Sequence, residues 1–180
     1  HAAVRSVLEG PPRDRPAASR DRRGGQPSRG GRRHAAVHGV REAAMNQARN
    51  NGATPLFIAC RYGHVDIVRL LLEAGAAINQ APQLGGTPLY IACEKGHVDI
   101  VRLLLEAGAS VDQACNNGAT PLLIACQQGH LEIAWLLLEA GAAVGQAMHD
   151  GVTPLYIACE KGHLECAQLL LESGAAMNQA

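Results

Sequence analysis

The sequence predicts an all-α solenoid of stacked helix-turn-helix units with protruding loops, and three observations lead there. The string Thr-Pro-Leu-x-Ile-Ala-Cys recurs at Thr54, Thr87, Thr120 and Thr153, each copy 33 residues after the last. Glycines punctuate every unit at fixed offsets, as at Gly63 and Gly75 in the first. A Leu-Leu-Leu run (Leu70 to Leu72 in the first unit) falls at the same place in all four. Units of this length cannot close a core alone, so each must bury its apolar face against the next.

The elements of one unit follow from local chemistry. Asn50-Asn51-Gly52 is turn sequence, because Asn and Gly tolerate positive φ. Thr54-Pro55 then starts a short helix, with a hydroxyl at the N-cap and a ring-fixed φ at the first helical position. Leu56, Ile58, Ala59 and Cys60 supply its packing surface, and Gly63 ends it by taking the left-handed conformation. His64 leads into a second helix with Asp66 in its first turn, where the helix dipole favours negative charge. Ile67, Val68 and Leu70 to Leu72 are too densely apolar for a helix with a wide exposed face. Gly75 terminates that helix, and Ala77 to Ala81 run extended into the next turn.

Thr54-Pro55-Leu56, Gly63-His64, Leu70-Leu71-Leu72 and Gly75-Ala76, repeated at the same offsets through Gly174-Ala175, resemble the ankyrin repeat. The resemblance covers about residues 48 to 180 and divides them into four units, 48–80, 81–113, 114–146 and 147–180. The chain departs from the family where its usual His after Thr-Pro-Leu is replaced by Phe57, Tyr90, Leu123 and Tyr156. The usual acid at the loop start is replaced by Arg49, Pro82, Cys115 and Met148. The caps, glycines and leucines that set chain geometry are all retained.

The first two units differ at ten positions, none of them between Gly63 and Ala76. The differences fall in the loop, on the first helix, and where the second helix gives way to the next loop. In the ankyrin fold the loops and first helices line a concave groove, so the resemblance implies a protein-binding face there. The residues it implicates are Asn50, Asn51, Gln83, Leu84, Asn116, Asn117, His149 and Asp150 in the loops. On the first helices they are Phe57, Arg61, Tyr62, Tyr90, Glu94, Lys95, Leu123, Gln127, Gln128, Tyr156, Glu160 and Lys161. Of five aromatic residues, only Trp135 lies on a second helix. Large amphipathic rings recur at binding hot spots. For Phe57, Tyr90 and Tyr156 two readings stand side by side: partner contact, or packing against the neighbouring loop.

Chemistry other than binding finds little support. Cys60 and His64, with Cys93/His97, Cys126/His130 and Cys159/His163, repeat at a metal-like spacing. Yet stacked helices lie about 8–10 Å apart, zinc bonds are about 2.0–2.3 Å, and one Cys with one His per layer cannot complete four ligands. The expected role is a small buried thiol and a turn-stabilising His. Equivalent cysteines in successive layers are also too far apart for the roughly 4.4–6.8 Å Cα separation of a disulfide. Cys166 stands where other units have Ile and reads as core. Near-identical units present like groups in parallel rows instead of converging unlike groups, so no enzyme, cofactor or metal is expected.

The zero net charge hides an asymmetry. Residues 1–49 carry eleven arginines against four acids, a balance of +7, and the remainder carries five bases against twelve acids, −7. Residues 1–33 are rich in Arg, Gly and Pro and are expected to be disordered. Residues 34–47 read as a decayed repeat or N-terminal cap remnant, since Met45 to Ala48 matches Met177 to Ala180. Arg23-Gly24-Gly25 and Arg29-Gly30-Gly31 resemble the Arg-Gly-Gly boxes of RNA-binding tails, which makes nucleic-acid binding by this arm the alternative to a protein-binding array. A further alternative is a spacer within a longer solenoid, because the last helix keeps Leu169 to Leu171 without the polar substitutions of a terminal cap. The apolar runs fall far short of the ~20 residues that span a bilayer. The expected setting is intracellular, cytoplasmic or nuclear, with the chain a monomeric part of a longer one.

Overall fold

A computed structural model describes residues 46–83 and 85–175. The expectations for residues 1–33, most of 34–47 and Leu84 lie outside the described residues. Among the described residues there are eight α-helices and no strand, in four pairs: α1 (Pro55–Tyr62) with α2 (Val65–Glu73), α3 (Pro88–Lys95) with α4 (Val98–Glu106), α5 (Pro121–Gln128) with α6 (Leu131–Glu139), and α7 (Pro154–Lys161) with α8 (Leu164–Glu172). Each first helix packs on its own second helix and on the first helix of the next unit. The second helices form a parallel outer row.

The caps are those the sequence implies. Thr54, Thr87, Thr120 and Thr153 hold extended backbone, and each hydroxyl accepts from the N–H three residues on, with proline opening the helix. Every first helix ends at a left-handed glycine, as at Gly63 (φ 76°). The second helices close with a paired motif: in α2, Ala76 N–H donates to the Leu71 carbonyl (2.9 Å) and Gly75 N–H to the Leu72 carbonyl (3.0 Å). Thr120 is fully buried, and its Oγ1 is 3.2 Å from the Leu123 amide. Thr120→Ala is expected to lower stability by about 1–2 kcal/mol. Thermal unfolding followed by circular dichroism checks this, with Thr120→Ser, which keeps the hydroxyl, expected to lose less than half as much.

Burial follows layer position more than residue identity. Leu89 and Leu122 are fully buried, while Leu155, the same residue of the last unit, is only half-buried. Cys60, Cys93 and Cys126 are buried, but Cys159 is exposed, which corrects the expectation of four buried thiols. α2 also departs from expectation: only Val68 is buried, and Ile67 and Leu70 face solvent. The equivalent Ile100 and Ile133 are fully buried. Among the described residues no helix lies on the outer side of α2, so the face that inner layers bury stays open there.

Burial alone drives the Cys60 thiol up to about 12 and raises Cys93 further. Cys126 and Cys166, which occupy different columns of the repeat, sit thiol to thiol between the third and fourth layers. The neighbouring Cys166 thiol, with burial adding to it, raises the Cys126 thiol, and Cys126 lowers that of Cys166. All six cysteines are free.

Candidate functional site

The loops stack on one another and carry the first helices' exposed faces beside them. Gln83 N–H donates to the Asn51 carbonyl (3.0 Å) and His149 N–H to the Asn117 carbonyl (3.1 Å), stitching successive loop tips together. Asn116 Nδ2 donates to the Gln83 carbonyl (2.9 Å), and Gln83 Nε2 to the Asn50 carbonyl (3.3 Å). In three of the four loops the side chain before the glycine accepts from a backbone amide two residues on. Asn51 binds Ala53 N–H (3.1 Å), Asn117 binds Ala119 N–H (3.1 Å) and Asp150 binds Val152 N–H (3.2 Å). Asn51, Asn117 and Asp150 thus hold the loops in shape.

Between the loops of the first three units and the first helices of the first two lies a cleft of about 550 Å³. Eight of the residues implicated by sequence meet there: Asn51, Asn116 and Asn117 on the loop side, Arg61, Glu94 and Lys95 on the helix side, and Phe57 with Tyr90 in the floor. Sequence comparison missed Ile58, Pro82, Ile91 and Cys115, which complete the floor. Ile58 and Ile91 are invariant among the units, so no column variation marks them. Pro82 and Cys115 were read as family departures and not as contacts.

The tenth column of the repeat resolves into two environments. Phe57 is 8 % exposed and Leu123 is fully buried. Leu123 therefore belongs to the core and is withdrawn as a contact, because the α5 face carrying it is covered on both sides by neighbouring layers. Tyr90 is half-buried, and its phenol is raised above the usual range by burial first and then by the Cys115 thiol beside it. It packs on the next loop and still lines the cleft. Tyr156 is 59 % exposed and lies outside the cleft, in the last described layer.

Other implicated residues stay outside the cleft. Tyr62 is 62 % exposed, with the Arg61 guanidinium 5.9 Å from its ring centroid and the His64 ring 6.2 Å away. Gln128 and Lys161 are exposed and Gln127 is half-buried, farther along the helical side. Lys95 and Lys161 each pair with the preceding acid, Glu94 and Glu160, at 2.8 Å. These exposed pairs orient charge more than they stabilise the fold. Asn50, Gln83, His149 and Asp150 are exposed at the loop tips.

Two ladders between layers were not foreseen. His97 Nε2 donates to the Arg61 carbonyl (3.4 Å) and His163 Nε2 to the Gln127 carbonyl (3.1 Å), so these two His rings bridge layers instead of serving their own turns. Asn46, Asn79 and Asp112 each accept from a backbone amide 31 residues on, of Ala77, Ser110 and Ala143, at 2.8–3.0 Å. Both ladders fix the pitch of the stack and hence the spacing of residues along the cleft.

The profile of the family described as "Ankyrin repeats (3 copies)" matches residues 33–115 and 111–180. The chain belongs to the ankyrin-repeat family. Ankyrin repeats generally serve as protein-protein interaction modules and are typically non-enzymatic. No curated protein matches this ankyrin chain. Among the described residues, no helix is long and apolar enough to cross a membrane.

Proposed function

We propose that this ankyrin array is a non-enzymatic module that captures a polypeptide segment in the cleft between its loops and first helices. The observation that carries the reading is the coincidence of that cleft with the varying columns: Arg61 against Glu94, Pro82 against Cys115, and Phe57 against Tyr90 all line it. An apolar floor of Phe57, Ile58, Tyr90 and Ile91 supplies contact area. The asparagine rim offers amide groups to a backbone, and the Arg61, Glu94 and Lys95 rim sets charge register. Exposed Tyr62 extends the surface at one end.

Selection from a displayed peptide library against the intact chain, followed by titration of the selected peptides, tests this. Arg61→Glu and Lys95→Glu, both at exposed positions, are expected to weaken binding about tenfold or more (~1.4 kcal/mol). Arg69→Glu on the outer face of α2 is expected to leave it unchanged. Selected peptides that respond to Arg69 and ignore Arg61 and Lys95 would place recognition on the second helices and defeat the proposal.

A further inference from the structure

The outer row of second helices changes chemistry halfway along the array. At spacings of three and seven residues, which share one helix face, α2 presents Asp66, Arg69 and Glu73, and α4 presents Asp99, Arg102 and Glu106. In α6 the same three places hold Glu132, Trp135 and Glu139, and in α8 Glu165, Gln168 and Glu172. The central arginine of the first two helices is thus replaced by Trp and Gln, so this face of α6 and α8 carries carboxylates and no basic residue of its own. Among the described residues Arg102 pairs with Glu132, at 3.5 Å.

Between α6 and α8 this face opens into a hollow of about 460 Å³, lined by Leu131, Trp135 and Leu169 with Glu132, Glu165 and Glu172 around them. Trp135 is 45 % exposed. An indole beside carboxylates suits a guanidinium: the ring attracts the cation's face while carboxylates accept its N–H groups. The chain holds such groups itself, six of them between Arg20 and Arg33, within a 49-residue segment of charge +7 facing an array of charge −7. Length permits the meeting. Asn46 is fixed to the first unit through the Ala77 amide, and the thirteen residues from Asn46 back to Arg33 span up to about 45 Å when extended. Layers about 8–10 Å apart put the hollow some 20–30 Å along the stack.

We infer that the arginine-rich N-terminal segment docks on the α6–α8 face of its own chain, with a guanidinium over Trp135 and the Glu165 and Glu172 carboxylates beside it. The site is on the outer row and leaves the cleft between loops and first helices free. Trp135 is the single tryptophan of the chain, so its fluorescence reports the site directly.

The test is acrylamide quenching of the full chain, compared with a variant in which Arg20, Arg22, Arg23, Arg29, Arg32 and Arg33 are all serine, and with Glu165→Gln/Glu172→Gln. Equal helical circular dichroism confirms that all three are folded. At about 0.05 M salt the native chain is expected to show a quenching constant about twofold lower than either variant. The difference should disappear by about 0.5 M salt and be independent of protein concentration, as tethered docking requires. Equal quenching at low salt overturns the inference. So does shielding that weakens on dilution, which would assign the site to a second copy, or shielding that survives in the double glutamine variant.

Discussion

Leu122→Ala is expected to lower the unfolding free energy by about 3–5 kcal/mol, and Leu155→Ala by only about 1–2 kcal/mol. The two leucines occupy the same column, each two residues after its capping threonine and on a helix of similar sequence. Local propensity therefore gives them equal weight. Leu122 is fully buried in α5, with α3 on one side and α7 on the other, whereas Leu155 in α7 is half-buried. In a stack whose stability is the sum of unit terms and nearest-neighbour interfaces, removing a side chain shared by two interfaces weakens both. Leu155 touches one described interface. Urea unfolding followed by circular dichroism measures the two losses. Equal losses would mean that the layers fold independently, and the account of a shared interior would have to be abandoned.

The same contrast explains what was legible in the sequence. The helices were, because Thr-Pro starts and glycine ends are local chemistry that no neighbour overrides, and the fixed step of 33 residues forces stacking. The exposed rim of the cleft was partly legible, since the columns of Arg61 and Lys95 vary between units on the first helices, and both residues line the cleft. Whether a given column is buried was not. Leu123 and Tyr156 share a position and differ from fully buried to 59 % exposed, because the next layer's loop covers one and no described loop covers the other. Invariant columns hide their contacts in another way: nothing in a single letter says that the His97 and His163 rings reach back 36 residues to the preceding unit. The Cys126–Cys166 contact escaped notice because like columns were compared only with like columns, whereas the stack brings a first-helix position of one unit against a second-helix position of the next.

This dependence on layers bears on the cleft. Its floor is built from Phe57, Tyr90 and Cys115, one from each of three consecutive units, and its two rims are held at fixed spacing by the loop ladder and by the His ladder. A partner segment lying along it would meet groups whose separation is set by the pitch of the solenoid and not by side-chain rotamers. Such preorganisation lowers the ordering cost of binding. It also means that any change in pitch alters recognition without touching a contact residue.

Gly129→Ala is expected to be such a change, costing about 3–4 kcal/mol, against about 1–2 kcal/mol for Gly162→Ala. Both glycines end a first helix in the left-handed conformation, at φ 73° and 75°, so the backbone penalty of a side chain is common to the two. Their surroundings differ. A Cβ on Gly129 would come within 2.7 Å of the His163 ring, while one on Gly162 meets nothing within 4 Å among the described residues. The ring would have to move and release the Gln127 carbonyl, which it now holds at 3.1 Å. The fourth layer would then lose one of its ties to the third. Removing the ring removes the collision, so Gly129→Ala combined with His163→Ala should cost about 1 kcal/mol less than the two single losses together. Strict additivity would show that the ring does not fix the separation of these layers, and that the glycine is required by backbone conformation alone.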